Sequence, residues 1–207
     1  MPEYIDLTHI HTDDMSVYPG DPCARLYQTS WIKENGFSDH MIEGGMHVGT
    51  HMDAPLHMIE SGKLISDLRI DQFKGRGLLI NARGKTKIEP DILTPYTLCK
   101  GDVILIWTGW DKKFGTDQYY KDWPHFTEEF CNRLVNADIA MVCMDTPGPD
   151  LDEPFPAHKL LLKQQILIVE NVTGLETLQD KENYIIHAYP PKYMADAAPV
   201  RVFAEVL

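Results

Sequence analysis

The chain has 207 residues, 43% of them hydrophobic and 24% charged, a balance ordinary for a globular protein with a core of its own. At this length about 70% of the surface exposed by the unfolded form can be buried, so no disulfide framework is needed. Its net charge of −12, from 19 basic and 31 acidic residues, repels phosphate backbones and excludes nucleic acid as the expected partner.

The four cysteines, Cys23, Cys99, Cys131 and Cys143, form no CxxC pair. Cys99, Cys131 and Cys143 lie in apolar or mixed stretches that suit free buried thiols, and a reducing compartment is expected. The stretch MPEYIDLTHIH has neither the basic nor the apolar region of a signal peptide, and the runs VILIW and ILIV are too short to span a bilayer. No membrane partner and a cytoplasmic location follow as expectations. With no repeat, low-complexity tract or linker, one domain over residues 1–207 is expected, two small ones being the lesser reading.

In chain order, strands are predicted at YIDLT near the start, ARLYQTSWI from Ala24, GLLINAR from Gly77, VILIW from Val103 and IAMVCMD from Ile139. ILIVE from Ile166, YIIHAYP from Tyr184 and VRVFAEVL at the end complete the set. Several are unbroken apolar runs, as in strands buried on both faces. Two helices are predicted. Thr127 can cap FTEEFCNRLVNAD, with Glu128 and Glu129 in its first turn. Ala157 to Gln165 (AHKLLLKQQ) follows Pro154 and Pro156 and uses strong helix formers. Strand, helix, strand order between Val103 and Glu170 makes this a mixed α/β chain with more strand than helix.

The chemistry concentrates in MHVGTHMDAPLHM, residues 46–58, which carries three of the nine histidines. Gly49, Thr50 and Pro55 argue for extended backbone, in which His47, His51 and Asp53 alternate onto one face. Two imidazoles and a carboxylate suit a first-row metal such as Zn, Mn or Fe. His57 falls beyond that strand, where a general acid/base is wanted. Further partners are sought at strand ends. Glu170 and Asp145 each close a buried run, and a carboxylate there is paired, caps a helix or binds a metal. For Asp145 the structural role is favoured; for Glu170 the two readings are balanced. His158 opens the second helix and alone reads as a surface histidine. His9, His11, His40, His125 and His187 are left outside the set, as are the aromatics Tyr18, Trp31, Phe37 and Trp110.

HVGTHMDAPLH resembles the signature of the cyclase family of metal-dependent hydrolases, which includes bacterial kynurenine formamidases and isatin hydrolases. YIDLTHIHTDDMSVYPGDP, DTPGPD, AHKLLL and ILIVENVTGLE resemble its other segments in the expected order. The resemblance implies a mixed β-barrel-like core with flanking helices and two divalent metal ions per chain, zinc first and manganese second. One metal would take His47, His51 and Asp53. Asp53 would bridge to a second metal held with His158 and Glu170, and His57 would be the catalytic acid/base. The implied partner is a small amide such as N-formyl-L-kynurenine, with isatin-type cyclic amides or esters as the alternative, in a homodimer or larger homo-oligomer. A non-catalytic metal-binding protein is the competing class, which the open histidine–carboxylate set without cysteine disfavours.

Overall fold

The computed structural model describes residues 2–207. In chain order its strands are β1 (Glu3–Asp6), β2 (Arg25–Ser30), β3 (Asp39–Glu43), β4 (His51–Asp53), β5 (Lys74–Asn81), β6 (Lys87–Ile88) and β7 (Val103–Trp107). They continue with β8 (His125–Phe126), β9 (Met141–Met144), β10 (Leu167–Glu170), β11 (Tyr184–Tyr189), β12 (Ala197–Pro199) and β13 (Arg201–Val206). The helices are α1 (Ile32–Asn35), α2 (Glu128–Asn136) and α3 (Pro156–Lys163). Nine strands form one curled half-barrel sheet in the order β1-β13-β11-β5-β7-β9-β10-β4-β12. Its middle, β5-β7-β9-β10, is parallel and its flanks are antiparallel.

Alternation along the parallel strands divides the core. Val103, Leu105, Trp107, Met141, Cys143, Leu167 and Val169 pack inside the curl with Phe73, Tyr184 and Val202. Ile104, Ile106, Val142, Met144 and Ile168 face the other way, under Phe130 and Leu134 of α2 and Leu161 and Leu162 of α3. Thr127 caps α2 as the sequence predicts, its side chain accepting from Phe130 N. The mixed α/β expectation holds, and each of the eight predicted strands has a counterpart within a few residues.

Three things differ. Cys131 and Cys143 are buried, but Cys99 is exposed, because it lies in the polar turn leading into β7 rather than in a strand. The β2–β3 hairpin, of which only β2 was predicted, stands off the sheet with Trp31, Phe37 and Ile42 exposed. Third, the extended segment predicted through residues 47–53 is a strand only at His51–Asp53.

Candidate metal centre

Strand β4 sets the site. Met52 points into the core inside the curl, so His51 and Asp53 on either side of it face outward toward α3. β10 runs antiparallel beside it with Glu170 opposite His51 and Ile168 opposite Asp53. Since Ile168 faces α3, so does Glu170, two residues on. Strand parity alone thus gathers His51, Asp53 and Glu170.

His47 arrives by another route. Gly49 adopts φ +60° and bends the chain, and a Cβ there would lie 2.9 Å from Met15 Cε. The bend aims the Gly49 carbonyl at the His51 ring, which donates Nδ1–H to it at 2.9 Å, while Asn171 Nδ2 donates to the same oxygen at 2.8 Å. His47 therefore joins His51 and Asp53 by a turn, not by the alternation expected from sequence. His57 sits in the short turn Pro55–His57 that follows β4.

His158 comes from the first turn of α3. Asp150 accepts from the backbone N–H groups of Ala157 and His158, both at 2.9 Å, and from His158 Nδ1 at 2.8 Å. One carboxylate thereby caps the helix and fixes the ring, leaving Nε2 3.1 Å from Glu170 Oε1. Gly148 keeps this corner open, since a Cβ would lie 2.9 Å from Glu170 Oε1.

The resulting atoms converge rather than pair off. Asp53 Oδ1 lies 3.0 Å from His47 Nδ1 and 3.5 Å from His51 Nε2, and Asp53 Oδ2 lies 3.9 Å from His158 Nε2. Glu170 Oε2 is 3.3 Å from His51 Nε2. Yet both Asp53 oxygens and His51 Nε2 are buried without a hydrogen-bond partner. Orphaned buried atoms of this kind are costly unless a cation takes them, and imidazole with carboxylate is a donor set for a borderline divalent ion. The residues present fit such an ion, and His47, His51 and Asp53 form one group that could hold it.

The electrostatics agree. Burial alone would lower the pKa of His47, but Asp53 and Asp196 outweigh it and raise the ring to about 10. His158 is likewise opposed by burial and raised to about 10 by Asp150 and Glu170. Burial would raise the carboxyls of Asp53 and Glu170, and the facing histidines bring both below their ordinary values. Without a metal, protonated histidines balance the charge of the two buried carboxylates, while Asp53 closes no hydrogen bond with them.

All six residues singled out from the sequence meet here. The structure adds two that sequence reasoning missed. Asp150 lies within DTPGPD, a segment matched as a whole without a role for this residue. Asp196 touches His47 and His57 from 149 and 139 positions away, and no local pattern marks it. Asp145 keeps the structural role expected of it, accepting from Thr108 N and Oγ1 and from Gly109 N. His9 stacks on Phe114 and His187 pairs with Glu205, both outside the cluster.

A cavity of about 240 Å³ opens onto the cluster, walled by Tyr18, Tyr120, Trp123 and Phe155 as well as by the histidines. Of the four aromatics set aside from sequence, only Tyr18 reaches it.

Fold and site together define the class: the chain belongs to the cyclase family of metal-dependent hydrolases, whose family model, described as "Putative cyclase", matches residues 5–151. Among curated relatives, the kynurenine formamidase of Bacillus mycoides (strain KBAB4) is 29% identical over 203 residues, covering 96% of this chain and 95% of its own. Among solved structures, isatin hydrolase A from Labrenzia aggregata matches with TM-score 0.88 at 23% identity, over 99% of this chain and 94% of that one. A potential metal-dependent hydrolase with cyclase activity matches with TM-score 0.82 at 25% identity, over 100% and 99% of the two chains. Among the described residues no helix is long and apolar enough to cross a membrane.

Proposed function

We propose that this chain hydrolyses the amide of an N-formyl arylamine, N-formyl-L-kynurenine first, to the free amine and formate. The observation that carries the reading is the buried convergence of Asp53 and Glu170 on three histidine nitrogens, with His57 standing beside it on the open cavity. His47, His51 and Asp53 would hold one divalent cation and Asp53, His158 and Glu170 a second, zinc first and manganese second. Such cations acidify a water and polarise a carbonyl. Asp53 suits the shared position because its two oxygens face different histidines.

His57 accepts the proton of the attacking water at a ring nitrogen and returns it to the departing amine nitrogen as the C–N bond breaks. A ring nitrogen of His57 lies within 4.8 Å of ligand atoms of Asp53 and His158, close enough to serve that water. Tyr18, Trp123 and Phe155 offer an aryl group apolar walls.

A second reading has its own support. Among the described residues no Lys or Arg lines the cavity, so the carboxylate of an amino-acid substrate meets no ammonium or guanidinium group among these walls. An uncharged cyclic amide such as isatin meets no such cost. Turnover of N-formyl-L-kynurenine, isatin and an uncharged N-formyl anilide by the zinc- and manganese-loaded protein separates the readings. Opening of isatin without formate release from either formamide would replace the first with the second; two bound metals and no hydrolysis of any would refute both. The expected homo-oligomer is supported by the exposed apolar side chains of the β2–β3 hairpin, a two-stranded ribbon of a kind marginal on its own in water.

A further inference from the structure

Asp196 stands outside every role assigned above. It enters β12, the edge strand that pairs with the ligand strand β4, and its carbonyl accepts from Ala54 N at 2.8 Å. Its side chain is thereby tied to the end of β4. A single oxygen, Oδ2, accepts from His47 Nε2 at 3.0 Å and from His57 Nδ1 at 3.2 Å. The two rings lie 4.2 Å apart, centroid to centroid, hinged on that one atom.

A neutral imidazole carries one N–H, so the nitrogen that donates decides which nitrogen is left with a lone pair. For His47, donation from Nε2 frees Nδ1, the atom 3.0 Å from Asp53 Oδ1. For His57, donation from Nδ1 frees Nε2 as the proton acceptor. We propose that Asp196 is a positioning residue shared by the two rings: it holds His47 in the tautomer that can ligate and His57 in the tautomer that can take a proton. The role rests on the reading of His47 as ligand and His57 as acid/base given above. It does not require a particular substrate. Both hydrogen bonds end on one oxygen, so removing it disturbs metal affinity and proton transfer together, which a group serving either ring alone would not do.

The test compares Asp196→Asn, Asp196→Glu and Asp196→Ala in the full chain. Zinc affinity is read by chelator competition, and kcat and KM are read at saturating zinc with whichever amide the wild type hydrolyses. The His57 tautomer is read from nitrogen-15 spectra of the zinc-loaded protein. Asp196→Asn is expected to weaken zinc binding by about 10–100-fold and to lower kcat by about the same factor even at saturating zinc, with KM little changed. His57 should lose its Nδ1–H signature, and Asp196→Glu should recover part of each effect. Wild-type affinity and kcat in Asp196→Asn would overturn the proposal. So would an affinity loss with kcat fully restored by zinc, because that leaves His57 independent. A third bound zinc in the wild type, lost in Asp196→Ala, would make Asp196 a ligand instead. If the wild type hydrolyses no amide, the proposed reaction fails, and zinc affinity with the His57 tautomer still decides the role of Asp196. Should the Ala variant not fold, the Asn and Glu variants carry the comparison.

Discussion

The carboxyl ends of β9 and β10 make a natural experiment. The strands are parallel neighbours in the sheet, each a short apolar run that ends in an acid: Asp145 just past β9, Glu170 closing β10. Both acids are buried. Asp145 follows Met144, which faces the helices, so it turns to the opposite side and meets the amides of Thr108 and Gly109 beyond β7. Glu170 follows Val169, which faces inside the curl, and so turns toward α3 and its histidine. One residue of strand parity separates an acid satisfied by fixed N–H and O–H donors from an acid surrounded by groups that can exchange protons for metal. Burial does not distinguish them; their partners do.

The sharpest way to break this contrast is at the centre of the second environment. Asp53→Ala removes the carboxylate whose oxygens face His47, His51 and His158, and should abolish binding of the two proposed cations. Turnover should fall by about 10³-fold or more, since a metal's stabilisation of developing charge is worth several kcal/mol. Elemental analysis of protein purified without chelator checks it; a variant that keeps two metals per chain would end the shared-ligand assignment. His57→Ala is next. Loss of a positioned acid/base should cost about 10²–10⁴-fold in kcat, with metal content unchanged. If metal is lost as well, His57 is a ligand and the proton-transfer role is wrong.

The same contrast explains what could be read from sequence. His51 and Asp53 were legible because a strand repeats every two residues and a one-residue gap fixes their common face. The same rule placed His47 correctly for the wrong reason, because the left-handed backbone at Gly49 breaks the alternation and a turn brings the ring back. Glu170 was ambiguous on its own chemistry and His158 alone read as a surface histidine, though it is buried; only the family resemblance joined them to the cluster. Asp150 stayed hidden because it caps α3 across the intervening turn, from eight residues before His158. Asp196 was illegible, since nothing before folding links β12 to β4. Local periodicity reports the direction of a side chain within an element; it is silent on which element will lie beside it.

The titrations extend the contrast to pH. In the metal-free protein the surrounding carboxylates hold His47 and His158 protonated up to about 10, and a ligating imidazole must give up that proton. With His47 and His158 as ligands, metal binding near neutral pH releases protons, and the affinity for each cation should fall by about 10-fold per pH unit below about 10, since each takes one of the two rings. Calorimetry of zinc binding in buffers of different ionisation enthalpy measures the number released. The sign is opposite for the metal-free fold itself. With their pKa raised above the unfolded value of 6.5, these histidines stabilise it fully below that pH and lose the contribution as pH rises through about 10.

The smallest effect on chemistry is expected at Asp145, and it completes the comparison. Asp145→Ala strands two half-buried backbone N–H groups, of Thr108 and Gly109, and the Thr108 hydroxyl, and unsatisfied buried donors cost about 1–3 kcal/mol each before relaxation. A loss of about 3 kcal/mol in unfolding free energy is the expected result, read from urea denaturation of the metal-loaded protein. Metal stoichiometry and kcat should stay at wild-type values, because no atom of Asp145 faces the histidines. If Asp145→Ala instead strips the metals while the chain remains folded, the two strand ends are not separate environments, and the division by strand parity fails.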